Sequence, residues 1–367
     1  METKARKGFG RFLSLDAWDR LGRNGLNILA LGLLVLYLFP ILFIVSTSLM
    51  PPAQQGDRNA PPYPAEQVRF ENGGQALPGG GKLPGGGMLP VYEVLIDGEV
   101  RQLAMLQAGR QESIFVDPKD PQAEPLVWEG NWRGLQGVYR FSPTLENFVL
   151  FFDSLPFGRM VRNTLLAGLA SGVFVLLSSV LVAYGFARFP LPGGDLLFYV
   201  LIASMLVPDK VTLVPSYFFF VRVLGWIPSW WPILAPFLFG NAVYIFLLRQ
   251  NFKSLPKEME EAATLDGAGP LRVLFQIVLP QSWPVLITVG LLHFFYIWNE
   301  TRQAALYLST ARDLMPASYG VQAFQGLVTR QSVIQAGALL VMLVPIVVLM
   351  VSQKYFLRNL VITGMEK

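Results

Sequence analysis

The chain has 367 residues, of which 53% are hydrophobic and only 15% are charged, and its mean hydropathy is +0.44. Soluble domains carry about 25% charged residues, so this composition predicts a polytopic membrane protein. The absence of cysteine excludes disulfides, thiolate catalysis and cysteine metal sites. The single histidine, His293, excludes a histidine-rich metal centre within this chain. The net charge of +4 fits basic flanks of membrane helices and needs no nucleic-acid partner.

Residues 1–25 are basic and predict a cytoplasmic segment with amphipathic character. Phe12, Leu15, Trp18 and Leu21 recur at roughly helical spacing. Two interpretations are open, an interfacial helix lying on the membrane surface and a short basic flank.

Six apolar stretches predict an all-α polytopic membrane protein with six transmembrane helices. A hydrocarbon core of about 30 Å needs about 20 apolar residues in a helix. The third stretch is interrupted by Asp209, Lys210 and two prolines, and the first is too long for a signal peptide. The six stretches are 26–49, 163–187, 196–221, 232–248, 284–299 and 331–353.

An even number of spans places both termini on one side of the membrane. Lys and Arg are more frequent in the short flanks on the N-terminal side, so both termini are predicted to be cytoplasmic. Arg159 and Arg162 lie at the outer end of the second span and favour the opposite orientation.

An extracytoplasmic insert, residues 50–145, separates the first span from the core domain, 146–367. Its first part, 51–90, is rich in Gly and Pro and predicts a linker. Gly81-Lys82 is not a phosphate-binding loop, because Ala76 and Leu83 occupy positions that need Gly and Ser or Thr.

Residues 89–140 predict a small extracytoplasmic β module. Two β-prone runs flank Asp97-Gly98, which is typical of a hairpin. The module is a candidate dock for a soluble partner, or equally a structural cap over the transmembrane helices.

A polar segment, 251–283, joins the fourth and fifth spans. Ser254 and Pro256 suit a helix start, and Gly267 and Gly269 suit a helix stop followed by a sharp bend. A second helical run, 271–279, is expected to present Leu271, Leu274, Phe275 and Val278 on one face. On these features alone, a surface hairpin is favoured over a docking element.

The residues of this segment resemble the Glu-Ala-Ala loop of binding-protein-dependent ABC importer permeases. In that family the loop is a coupling helix that docks in a cleft of the cytoplasmic ATPase subunit. The resemblance therefore implies ATPase contact by Glu261, Ala262, Ala263, Asp266, Gly267 and Ala268. The matching residues are these six together with Ile277, Leu279 and Pro280.

Further stretches are similar to carbohydrate-type permeases, closest to the second permease subunit of maltose-type systems. Two of them are NTLLAGL at 163–169 and AYGFARF at 183–189. The resemblance implies a bacterial inner-membrane protein that imports a sugar or oligosaccharide. It implies as partners a second homologous permease, two ATPase subunits and an extracytoplasmic sugar-binding protein. ATP and Mg²⁺ would be bound by those partners, with no cofactor in this chain. The insert at 50–140 departs from the small members of the family.

Four residues are candidates for a substrate path, because a polar residue inside a span is costly. Asp209 is expected to line a sugar path or to pair with Lys210. Asn241 is expected to hydrogen-bond a sugar hydroxyl or a neighbouring helix, with helix contact the commoner use. Trp298 would stack on a sugar ring or anchor at the interface, and Asn299 would hydrogen-bond a sugar.

Three alternatives to sugar import differ in their requirements. A polyol or glycerol-phosphate cargo calls for clustered basic residues on the path, and only Lys210 lies inside a span. A membrane-embedded enzyme needs convergent catalytic side chains, which the sequence does not offer. A secondary carrier driven by an ion gradient would transport without any ATPase.

Overall fold

The computed structural model describes residues 15–57, 59–71, 87–96, 98–121, 123–327 and 329–363. The chain divides into two compact units, Met1–Asn147 and Phe148–Lys367.

The N-terminal unit begins with one long helix, α1, Leu15–Ser48. Its segment Asn24–Ser48 is long and apolar enough to cross a membrane, in agreement with the predicted first span. A 3₁₀ turn, Pro52–Gly56, follows it and starts at a proline, whose fixed φ suits the first position of a helix.

A six-stranded antiparallel sheet follows, in the strand order β2-β3-β4-β5-β6 with β7 beside β3, and β1 and β8 form a separate two-stranded antiparallel sheet. Ile96 pairs with Glu99, which leaves a two-residue hairpin loop containing Gly98 at φ +82°. The predicted hairpin is present, although Asp97 itself lies outside the described residues. Alternate residues of β3 are buried on opposite faces, so both faces of the sheet are covered. The strands are β1 Ala65–Gln67, β2 Arg69–Glu71, β3 Met88–Ile96, β4 Glu99–Gln107, β5 Glu112–Val116, β6 Leu126–Glu129, β7 Gln136–Gly137 and β8 Tyr139–Phe141.

Ordered structure begins earlier than the composition of 51–90 suggests. The strands β1 and β2 lie inside that stretch, and β1 pairs with β8. The buried Gln54 holds the segment before them: its amide donates to the carbonyls of Pro61 and Tyr63 at 2.8 Å and accepts from the amide of Ala65. Internal hydrogen bonds therefore order a proline-rich stretch that has little apolar surface to bury. The Gly-rich repeat, except its last four residues, lies outside the described residues.

One half-buried tyrosine on β8 contacts the start of this segment. The hydroxyl of Tyr139 donates to Asp57, and burial raises the pKa of Tyr139 above its usual range. The phenol is therefore neutral and remains a donor at any physiological pH.

The C-terminal unit is helical in its described part. Its helices are α2 Glu146–Ser154, which starts two residues before the boundary, α3 Phe157–Arg188, α4 Gly194–Ser204, α5 Asp209–Phe218, α6 Trp231–Leu234, α7 Ala242–Ser254, α8 Glu258–Leu265, α9 Pro270–Val273, α10 Leu279–Gln281, α11 Trp283–Trp298, α12 Arg302–Tyr307, α13 Ala317–Gln325 and α14 Gln331–Thr363.

Four helical segments of the described chain are long and apolar enough to cross a membrane, and a bent pair makes a fifth. This gives four or five candidate spans where the sequence predicted six, and the missing one is the stretch that the sequence already showed to be interrupted. The stretch 196–221 is divided into α4 and α5 by a turn before Pro208, because a residue preceding proline resists the α conformation. The four segments are Asn24–Ser48, Phe157–Arg188, Trp231–Ser254 and Gln331–Lys354, and the bent pair is Pro270–Gln281 with Trp283–Trp298.

Helix α3 packs closely against α11 through two glycines. A Cβ at Gly168 would meet Ile297 at 3.8 Å, and a Cβ at Gly172 would meet His293 at 3.6 Å. The small-residue face therefore serves packing within this chain. His293 is fully buried, and its Nε2 lies 2.7 Å from the hydroxyl of Ser171, as expected of a packed residue.

The role of Gln54 is testable in the full-length protein. We expect Gln54→Ala to raise amide hydrogen exchange across residues 60–67, because two carbonyls and one amide lose their partners at about 1–3 kcal/mol each. Glu66→Ala is the matched control, since Glu66 is exposed and its ion pair with Arg140 spans 3.9 Å at the surface. Equal exchange in Gln54→Ala and the parent protein would show that the segment is held by other contacts.

Candidate functional site

The predicted coupling segment contains a short helix whose start carries three carboxylates. Helix α8 follows Lys257, whereas Ser254 ends α7 rather than beginning α8. The positive end of the helix dipole favours acids in this first turn. The three are Glu258, Glu260 and Glu261.

A glycine turn ends α8. Gly267 has φ +83°, its amide donates to the carbonyl of Thr264 at 3.0 Å, and the amide of Ala268 donates to the carbonyl of Ala263 at 2.9 Å. These two bonds define a Schellman motif, in which the residue after the helix adopts a left-handed conformation. A Cβ at Gly267 would meet nothing within 4 Å, so glycine is required there by the backbone and not by space.

A second helical piece, Pro270–Gln281, runs from this turn to α11 and meets it at an angle of 82°. The sequence predicted one shared apolar face, but Leu271 is 62% and Phe275 is 49% exposed. Residues Leu274–Val278 form a π turn, whose extra residue per turn shifts the phase of the helix. The buried face consists instead of Val273, Leu274 and Val278.

The six predicted contact residues lie together around the end of α8 and divide between two faces. Ala263 and Ala268 are half-buried and pack against the helical core. The other four are exposed: Glu261, Ala262, Asp266 and Gly267. Two apolar side chains of the same helix, Met259 and Leu265, are 52% and 89% exposed. The outer face of α8 is thus partly apolar and partly acidic, as a protein-docking surface requires.

Glu260 points inward and forms a buried ion pair with Arg188, the last residue of α3. The guanidinium Nε donates to the two carboxylate oxygens at 2.8 and 3.0 Å, and a terminal nitrogen donates to one of them at 2.5 Å. The side chains are only 8% and 12% exposed. The same guanidinium donates to the carbonyl of Leu255 at 3.3 Å, ahead of α8. This arrangement attaches α8 to the end of α3, a helix long and apolar enough to cross a membrane.

Two of the predicted path residues begin helices. Asp209 is the first residue of α5, after the turn at Pro208. Asn241 was placed in mid-span, but the chain breaks at Gly240, with φ +83°, and Asn241 caps α7. Its side-chain oxygen accepts from the amides of Val243 and Tyr244 at 3.0 and 3.4 Å, so this oxygen serves the helix.

The other two path residues lie at the end of α11 and differ in exposure. Trp298 is 1% exposed, and its indole donates to the carbonyl of Val341 at 3.2 Å. It therefore presents no ring face to a sugar and is not an interfacial anchor, because the bundle encloses it. Asn299 is exposed and donates to the carbonyl of Phe295 at 2.8 Å. Asp209, Asn241 and Trp298 thus begin or end three different helices.

The ion pair is the feature that sequence reasoning missed. Arg188 lies in the AYGFARF stretch, and Glu260 is one of the three carboxylates in the first turn of α8. Each residue belongs to a separate local pattern. They are 72 residues apart, and no local pattern pairs them. Among the residues that the structure describes, no group of three or more His, Asp or Glu is placed to hold a metal ion.

The glycine turn gives a matched pair of substitutions. We expect Gly267→Ala to destabilise the protein by about 1–2 kcal/mol, because an L-residue is strained in the left-handed region. Gly269→Ala is the control, since Gly269 has φ −72° and equal space around it, and its thermal unfolding should match the parent. Equal effects of both substitutions on thermal unfolding would contradict the role of the positive φ.

The ion pair is tested by removing each partner. We expect Arg188→Gln or Glu260→Gln to lower the free energy of unfolding by about 3–5 kcal/mol, because each leaves a buried charge without its partner. The double substitution should cost less than the sum of the two, which a double-mutant cycle measures by thermal unfolding. Glu258→Gln, on the exposed side of the same turn, should have almost no effect. Additive losses in the cycle would show that the two side chains do not interact.

Relatives with described transport roles align with more than half of this chain. The sn-glycerol-3-phosphate transport system permease of Pectobacterium atrosepticum is 33% identical over 57% of this chain and 74% of its own length. The alpha-glucoside transport system permease of Rhizobium meliloti is 29% identical over 59% of each chain.

A solved structure has the same fold over nearly the whole chain. It is a bacterial ABC transporter involved in the import of the acidic polysaccharide alginate, with a TM-score of 0.62 over 94% of this chain and 99% of that chain. The sequences are 20% identical, so this similarity concerns the fold.

A family model matches residues 176–361, which is just over half of the chain and includes the coupling segment, the glycine turn and α11. The prediction of an ABC importer permease subunit is thereby confirmed. The chain belongs to the family of binding-protein-dependent transport system inner membrane components.

Proposed function

We propose that this permease imports a sugar or oligosaccharide and that α8 is the element through which a partner ATPase drives it. The proposal rests on the different contacts of the two faces of α8. Its outer face exposes Glu261, Met259 and Leu265, while its inner face is attached to α3 through Glu260. A surface hairpin that only joins two spans needs neither an exposed apolar face nor a buried ion pair.

Two connections would transmit a movement of α8 to the membrane helices. The ion pair with Arg188 passes a displacement to the end of α3. The short turn between Gly267 and Pro270 passes it to the helix that meets α11 at 82°. Because α3 and α11 also pack closely at Gly168 and Gly172, both routes converge on one helix pair. Closure of an ATPase cleft around α8 would therefore move this pair together.

The proposed topology has six spans with both termini in the cytoplasm. The third span is the broken pair α4 and α5, which adds to the five counted above, and its irregular turn is compatible with a membrane only where protein or a water-filled cavity covers it. The sheet of the N-terminal unit would then lie outside the cytoplasm, in reach of a substrate-binding protein. A second homologous permease, two ATPase subunits and that binding protein complete the proposed importer in a bacterial inner membrane.

The proposed cargo is a neutral sugar, because the side chains proposed along the substrate path do not form a basic cluster. A phosphorylated cargo needs clustered basic residues, whereas the proposed path positions are Asp209, Asn241 and Asn299. Relatives transport an alpha-glucoside in one case and sn-glycerol-3-phosphate in another, and these are the two cargo classes to separate. ATP and Mg²⁺ belong to the partner subunits in this proposal.

The coupling role is tested in proteoliposomes that contain the assembled transporter. We expect Glu261→Arg to reduce cargo uptake at least about tenfold, because charge reversal at a docking face costs several kcal/mol. ATP hydrolysis and co-purification of the subunits should fall less than uptake, since α8 itself still folds. Gly267→Asp should act in the same direction through the turn. Normal uptake in both variants would refute the assignment of α8 as the coupling element.

The energy source distinguishes this importer from an ion-driven carrier. We expect sugar uptake only when ATP, the ATPase subunits and the binding protein are all present, and we expect it to survive collapse of the proton and sodium gradients. Uptake by this chain alone, abolished by collapse of a gradient, would contradict the proposal. Parallel measurement with glycerol-phosphate and with neutral oligosaccharides identifies the cargo class.

A further inference from the structure

A cavity of about 470 Å³ lies at the end of α3, between the start of α4 and the last turns of α7. It is next to the Arg188–Glu260 pair, so it lies at the same end of the bundle as α8. Helix α3 is long and apolar enough to cross a membrane, and its end therefore lies near the depth of lipid headgroups.

The wall of this cavity holds a buried guanidinium with unused donors. Arg249 is only 7% exposed, and its charged carbon lies 3.7 Å from the ring centre of Phe198. Its Nε donates to the carbonyl of Phe186 at 3.3 Å, but within the described chain its two terminal nitrogens make no hydrogen bond. Asp195 approaches at 4.0 Å and remains 91% exposed. A buried cation with such weak compensation is costly unless an anion joins it.

Two further groups in the cavity favour an anion. Lys253 follows Arg249 by four residues on α7, so both project from the same side of that helix. The first turn of α4 also lines the cavity, and its preceding residue, Gly193, supplies no side-chain cap. The amide of Gly194 donates to the carbonyl of Leu191 at 2.9 Å, so the first-turn amides left for an anion are those of Asp195 and Leu196. Arg188 contributes little charge, because Glu260 neutralises it.

Three exposed apolar side chains also line the cavity. Phe189, Leu191 and Leu196 are 45%, 44% and 67% exposed. These side chains offer nothing to a free phosphate ion but can accommodate the glycerol and upper acyl carbons of a lipid. Basic pockets between membrane helices on the cytoplasmic side are known to accept anionic headgroups.

We infer that this cavity binds the phosphate of an anionic phospholipid, held by Arg249, Lys253 and the first-turn amides of α4. The phosphate would complete the hydrogen bonding of Arg249 and replace the distant carboxylate of Asp195. A bound lipid would also brace α7 and α4 beside the ion pair that positions α8. The site is independent of the cargo.

The test measures lipid retention by native mass spectrometry of the transporter purified with its co-purifying subunits. The probes are phosphatidylglycerol, phosphatidylcholine and inorganic phosphate. We expect phosphatidylglycerol to be retained at least about tenfold more than phosphatidylcholine. Lys253→Gln should lower its retention about fivefold and Arg249→Gln at least about tenfold. Asp195→Asn should keep or increase retention, because it removes the one carboxylate that lines the cavity.

Two controls keep the outcome decisive. Lys210→Gln removes an exposed basic residue from another helix start and should leave retention unchanged. Lys253 is exposed, so its variant reports on the site even if Arg249→Gln lowers stability. Equal retention of both lipids, or parent-like retention in Lys253→Gln and Arg249→Gln, overturns the inference. If inorganic phosphate raises the thermal stability of the transporter and phosphatidylglycerol does not, the site binds a free phosphate ion, and the proposal of a lipid ligand is wrong.

Discussion

The buried ion pair between Arg188 and Glu260 sets the position of α8. An eight-residue helix has too few internal hydrogen bonds to be stable alone in water, so α8 depends on contacts made elsewhere. Its inner face offers only Ala263 and the neighbouring Ala268 to the apolar core. The guanidinium supplies the directional contact that these small side chains lack, because its planar donors accept only one orientation of the carboxylate.

Breaks in the helices define the rest of the membrane domain. Helical structure is interrupted within apolar sequence before Pro208, at Gly240 and at Ser282. A new helix begins after each of these breaks. Backbone groups freed at such breaks need partners away from lipid, and Asn241 supplies one by capping α7. Broken helices can pivot where continuous ones resist bending, which suits a protein whose helices must rearrange to pass a cargo.

The N-terminal unit is held together in a different way. A sheet with both faces covered forms its core, and the proline-rich stretch ahead of the sheet is held by Gln54 and by the contact of Tyr139 with Asp57. These polar contacts make a stretch with few apolar residues part of the folded unit. The unit therefore presents an ordered surface rather than a tether.

Much of the fold was predictable because it is encoded locally. Charge-free runs of sufficient length indicated membrane helices, Asp97-Gly98 indicated a hairpin, and Gly267 indicated the end of α8, since each depends on neighbouring residues alone. The spacing of Glu261, Ala262 and Asp266 also indicated the family, because such a motif is a local pattern.

Tertiary structure decided what depends on distant residues. The burial of Trp298, the capping role of Asn241 and the exposure of Leu271 follow from how helices break and pack, which apolar counts do not reveal. The sequence by itself determined a membrane permease with a short acidic helix between two apolar stretches. Only the tertiary structure shows that Glu260 faces inward to Arg188 while Glu261 faces outward. The inward orientation of Glu260 depends on a buried contact between two residues that are 72 positions apart in the sequence, which no local pattern reveals.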